Sequence, residues 1–76
     1  MTYFRTIASL ANGLHKIMRL DRSQVAHAVS EFRKSQISPF IDGHVVTFGE
    51  DSIDLKTVLS LRFVNEWTGE ELLTVN

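Results

Sequence analysis

Residues 3–20, YFRTIASLANGLHKIMRL, hold the most regular apolar pattern in the chain. Tyr3, Phe4, Ile7, Leu10, Ala11, Leu14, Ile17 and Met18 recur at helical spacing. At about 100° per residue they fall in one sector of a helical wheel. Arg5, Ser9, Asn12, Lys16 and Arg19 occupy the opposite sector, a polar face with a basic bias. The spacing therefore predicts a helix over 3–20. Gly13 lies beside the polar face, where it costs roughly 1 kcal/mol relative to alanine.

A second helical segment follows without a loop. Asp21-Arg22-Ser23-Gln24 has the form of a capping box, an acceptor at the cap and a glutamine three residues later. Val25, Ala28, Val29 and Phe32 form an apolar face up to about Lys34, while Gln24, His27, Glu31 and Lys34 line the polar side. Two helices joined this closely must turn sharply at Leu20–Asp21. One continuous helix through residue 34 is the other arrangement, since neither Gly nor Pro separates the two.

Beyond Ser38-Pro39 helical character stops, because proline restricts the residue before it and lacks an amide donor. Asp42-Gly43 between Phe40-Ile41 and His44–Phe48 is a hairpin signal, and Gly49-Glu50-Asp51-Ser52 is a further turn. In 57–67 the apolar residues scatter around a helical wheel. At period two, Leu59, Leu61, Phe63 and Trp67 share one face against Ser60, Arg62 and Glu66, so a strand is expected. Thr68-Gly69 then turns the chain into Glu71–Val75 as an edge strand. The expected fold is α+β: two N-terminal helices packed on a small antiparallel sheet of three or four strands. It forms a single domain over 1–76, with 1–36 helical and basic and 37–76 β-rich and acidic.

Length and composition bound the function. A chain of 76 residues is short for a domain and buries only about 60% of its unfolded surface. Apolar residues make up 43% and charged residues 22%, which is enough for one core and unlike a disordered chain. With no cysteine there is neither a disulfide nor a thiolate metal site, which is compatible with a cytoplasmic location. No stretch approaches the roughly 18 apolar residues of a membrane span. Arg5, Asn12, His15, Lys16 and Arg19 interrupt the first twenty residues, so these read as mature structure rather than as a secretion signal.

The patterns that carry chemistry do not occur. The four glycines are dispersed, with no phosphate-binding loop, and no serine sits in a nucleophile elbow. His15, His27 and His44 lie on three different expected elements, and no His-Glu-x-x-His is present. Glu50, Asp51 and Asp54 lack the alternate spacing of a calcium loop. They read as a solvated turn or as an acidic patch for a basic partner, and Glu66, Glu70 and Glu71 invite the same two readings. No catalytic residue, metal ligand or cofactor is expected.

What remains is binding. The leading expectation is a small non-catalytic regulator, inhibitor or adaptor that acts through protein–protein interaction. Its surface would comprise Val64, Leu72, Leu73 and Val75, with Glu50, Asp51 and Asp54 as the acidic part. Val64 opposes Leu59, Leu61 and Phe63, so both faces of the strand carry apolar groups, and an edge strand at 71–75 suits pairing with another chain or a second copy. The alternative is a nucleic-acid-binding regulator using the basic half. Arg5, Lys16, Arg19, Arg22, Arg33 and Lys34 stand there against Asp21 and Glu31, a balance of +4. Residues 41–76 carry Lys56 and Arg62 against seven acids, a balance of −5. Gln24 and Ala26 fit the first half of a helix-turn-helix, but Ser30-Glu31-Phe32 offers no glycine turn and Pro39 breaks a recognition helix. A pI near 6.3 leaves a thin electrostatic footprint for phosphate.

Overall fold

The computed structural model describes residues 1–37 and 43–76. The chain runs β1 (Tyr3–Leu10), β2 (His15–Asp21), α1 (Arg22–Ile37), β3 (Val45–Phe48) and β4 (Asp51–Asp54). A single 3₁₀ turn (Leu55–Thr57) leads into β5 (Val58–Asn65), and β6 (Glu71–Val75) ends the fold. A four-stranded antiparallel sheet has the order β2-β1-β5-β6, and β3 and β4 form a separate hairpin. The arrangement of two N-terminal helices on a small sheet is thereby overturned. Among the described residues strand accounts for 51% and helix for 27%, and residues 1–36 are not a helical half.

The correction falls on residues 3–20, which form the hairpin β1–β2 instead of a helix. Pairing runs from Tyr3 opposite Asp21 to Ser9 opposite His15. Gly13 adopts φ +87°, the left-handed conformation glycine tolerates. The amide of Leu10 bonds Leu14 O at 2.9 Å, that of Gly13 bonds Leu10 O at 3.0 Å, and Asn12 Oδ1 accepts from the Leu14 amide. Asn12-Gly13 between apolar runs is itself a hairpin signal, and here it prevails over the helical stripe. The inward face follows period two and splits the helical stripe: Phe4, Thr6 and Ala8 point inward with Met18 and Leu20, while Arg5, Ile7, Ile17 and Arg19 point outward. Long-range pairing decides between the periods, because β1 is bonded to β2 on one side and β5 on the other.

The capping box forms as expected. Asp21 Oδ1 accepts from the Gln24 amide and Gln24 Oε1 accepts from the Asp21 amide, both at 2.9 Å, satisfying donors that helix geometry leaves orphaned. One helix starts there and continues to Ile37.

The second half follows its turn chemistry. Gly49, at φ +61°, and Glu50 join β3 to β4 in the manner of a type II′ turn. The hairpin expected around Asp42-Gly43 falls partly on 38–42, outside the described residues. Residues 58–65 are a strand, with Leu61 and Phe63 inward. A bulge between the Ser9 and Leu10 pairings shifts the register, so Val58 is buried and Leu59 exposed, contrary to the single face expected. Gly69, at φ +77°, turns the chain into β6, which is the edge strand expected.

One face of the sheet carries the core. Phe4, Ala8, Met18, Leu20, Leu61 and Phe63 pack under Val25, Ala28 and Phe32 of α1, with Val46, Phe48 and Ile53 of the small hairpin and Leu55 completing the cluster. The other face of the sheet is open to solvent, and its two sides set up the surfaces described next.

Candidate functional site

Helix α1 packs chiefly against β2 and β1 of the sheet and does not close over the edge strand β6. Between α1 and β6 a groove of about 820 Å³ remains. Its helical wall repeats at helical spacing: Arg22, Ala26, Val29, Arg33 and Ile37. These positions adjoin the buried stripe Val25, Ala28 and Phe32. Opposite stand Leu72 and Leu73. Ile37 is 79% exposed and Leu72 43%, large apolar side chains left in water beside a groove floor of the same character.

Cations rim this groove and, among the described residues, no carboxylate lines it. Lys34 Nζ lies 3.4 Å from Glu31 Oε1, and the Arg22 guanidinium sits 5.5 Å from the centre of the Phe4 ring. Among the described residues Arg33 makes no ion pair. The rim is therefore positive over an apolar floor.

A second surface is the open sheet face. Tyr3, Arg5, Ile7, Ile17, Arg19, Arg62 and Val64 share it. Its charges are largely paired. Arg19 grips Glu66 with two nitrogens, Nε to Oε2 at 2.8 Å and Nη2 to Oε1 at 3.0 Å, and lies 3.9 Å over the Tyr3 ring. The hydrogen bonds from Arg19 hold the Glu66 carboxyl below its ordinary range, and Glu66 in turn raises Arg19. Arg62 Nε donates to Glu71 Oε1 at 2.6 Å. At the end of this face a pocket of about 470 Å³ lies beside Tyr3, Arg19, Glu66 and the almost fully exposed Trp67.

The residues singled out from the sequence do not form one site. Leu72 and Leu73 lie at the groove, Val75 is half-buried against the core, and Val64 is on the opposite face of the sheet. Glu50 is exposed in the β3–β4 turn, and Asp51 lies 4.0 Å from Lys16 Nζ. Asp54 accepts from the amides of His44 and Lys56, capping the 3₁₀ turn, and those bonds lower its carboxyl. It is a structural acid.

The six basic residues also divide. Arg5 and Arg19 share the open sheet face, Arg22, Arg33 and Lys34 border the groove, and Lys16 pairs across to the small hairpin. Sequence reasoning missed Ile37 as a surface group, whereas Val29, expected on the apolar face of the helix, is half-buried against the core and also lines the groove. The signal that could have found Ile37 is the mixed stripe 22-26-29-33-37 beside the purely apolar one.

Among the described residues no three His, Cys, Asp or Glu side chains converge as metal ligands. No helix among them is long and apolar enough to cross a membrane. Comparison of the chain with protein-family models, with curated proteins and with solved structures finds no match. Function must therefore be argued from these surfaces.

Proposed function

We propose that the chain is a non-catalytic binding protein, a regulator, inhibitor or adaptor, and that it docks a polypeptide segment in the groove between α1 and β6. The segment carries apolar side chains for the floor and carboxylates for the rim. The observation that supports this is charge over apolar surface: Arg22, Arg33 and Lys34 surround Val29, Ile37 and Leu72, with no acid in the lining among the described residues. Apolar contact supplies affinity, while opposite charge at the rim selects partners and speeds encounter.

Selection of a random peptide library against the protein tests this reading. Enriched peptides should combine apolar residues with Asp or Glu and should lose binding to Ile37→Asp, a change at an exposed position that leaves circular dichroism unaltered. Enrichment of basic peptides, or equal binding to the Ile37→Asp variant, overturns it. The nucleic-acid alternative draws less support. Its six cations lie on three surfaces, and Arg19 is already occupied by Glu66.

A further inference from the structure

The groove is bounded on one side by a strand with an unpaired edge, and the direction of that edge can be read from the hydrogen bonding. The Asn65 amide bonds Glu70 O at 2.8 Å, so Asn65 turns its backbone groups toward β6. Alternation along β5 turns Phe63 and Leu61 the same way. Their partners are Leu73 and Val75, which therefore form the bonded pairs. Thr74, opposite Arg62, directs its N–H and C=O away from the sheet. Among the described residues no strand lies beyond β6 in the sheet order.

Building on the docking reading above, we infer that the bound segment is an extended strand that adds to β6, pairs with the free backbone groups of Thr74, and alternates apolar residues with carboxylates. A strand laid along this edge continues the sheet as its fifth member. Its side chains then point alternately to the two faces. Those on the helix side meet Leu72, Val29 and Ile37 and come within reach of Arg33. Unpaired edges are templates for this addition. Glu71–Val75 holds neither proline nor lysine, and the β-bulge in this ladder lies between the Phe63–Leu73 and Val64–Glu71 pairs, at the other end of the strand from Thr74. A helical ligand would fill the apolar floor but leave the Thr74 amide in water.

The test uses two synthetic peptides, one alternating valine with glutamate and one alternating valine with lysine, titrated against the whole chain. The glutamate peptide should bind, and the lysine peptide should bind at least about tenfold more weakly. Thr74→Pro removes the outward donor while sparing the bonds of Leu73 and Val75 to β5, a placement proline accepts on an edge strand. It should weaken the glutamate peptide by about tenfold, whereas Thr74→Val, which keeps the amide, should bind like the parent. Should Thr74→Pro disturb the fold, hydrogen exchange of the Thr74 amide in the parent protein decides: it should slow in the presence of peptide. Peptide binding that depends on Ile37 but leaves Thr74 exchange unchanged overturns strand addition and preserves groove docking. Absence of binding by either of these peptides and by the selected library overturns both.

Discussion

His44 and Glu31 tie the small hairpin to the helix, with Nε2 and Oε2 2.6 Å apart. The ionised carboxylate can only accept, so Nε2 carries the proton in this pair. His44 immediately precedes β3 and Glu31 lies on α1, so the contact adds to the buried packing of the hairpin against the helix. Hydrogen bonding from His44 is the main cause that holds the Glu31 carboxyl below its ordinary value, with Lys34 adding to it.

The consequence is a stability that depends on acid. A carboxyl lowered on folding contributes above its unfolded value, and the contribution is lost as pH falls through the folded one. Asp21, Asp54 and Glu66 are lowered too, by the Gln24 amide, the His44 amide and Arg19 respectively. Denaturant midpoints should therefore fall steeply below about pH 4.5. Glu31→Gln should flatten this acid limb and lower the midpoint at neutral pH. An unchanged pH profile in that variant would show that the pair contributes nothing.

Gly13 distinguishes hairpin from helix by the sign of one substitution. In a helix, Gly13→Ala would stabilise by roughly 1 kcal/mol. At φ +87° it should destabilise by about 1 kcal/mol, through backbone strain alone, because an added Cβ would meet nothing within 4 Å. Thermal or urea unfolding reads the sign directly.

Thr6 is fully buried on the core face of β1, and among the described residues its hydroxyl has no hydrogen-bond partner. A buried polar group left unpaired opposes folding. Thr6→Val keeps the shape and the β-branch, and should raise stability by about 1 kcal/mol in chemical denaturation.

Val64 and Leu73 differ although both were marked as interface candidates. Val64 faces outward, so Val64→Asp should leave the far-ultraviolet spectrum and the unfolding midpoint nearly unchanged. Leu73 packs against the core cluster, and Leu73→Asp should destabilise by roughly 2 kcal/mol. Equal tolerance of both would contradict the placement of β6.

A core truncation sets the scale. Phe63 is completely buried at the centre of the sheet, and Phe63→Ala should cost about 3–5 kcal/mol. For a domain this small that approaches the whole stability, so the variant should be largely unfolded at room temperature by circular dichroism.

Local chemistry was legible at several places where a short range of residues carries it, the Asn12-Gly13 turn being the exception. The capping box at Asp21 and Gln24, the turns at Gly49 and Gly69, the strand at Leu61 and Phe63 and the edge strand at Leu72–Val75 need only neighbours along the chain. Residues 3–20 follow the helical period in sequence because apolar Ile7 and Ile17 lie on the open face of the sheet while polar Thr6 is buried, which hides the period of two. Of the groove, Leu72 and Leu73 were visible in the sequence. Ile37 was not, since its exposure depends on how far α1 reaches over β6.

The sequence by itself therefore determined the caps, the turns and the strand character of the second half, because each rests on the φ or hydrogen-bonding needs of a few adjacent residues. Only the tertiary structure decided that Tyr3–Leu10 is a central strand. That choice depends on β5, more than fifty residues away for Phe4 and Asn65, offering a second ladder of hydrogen bonds and a shared apolar face. It also decided which cations gather, Arg22, Arg33 and Lys34 at the groove and Arg5 and Arg19 on the open sheet. Charge along a chain becomes a surface only after the elements that carry it have packed.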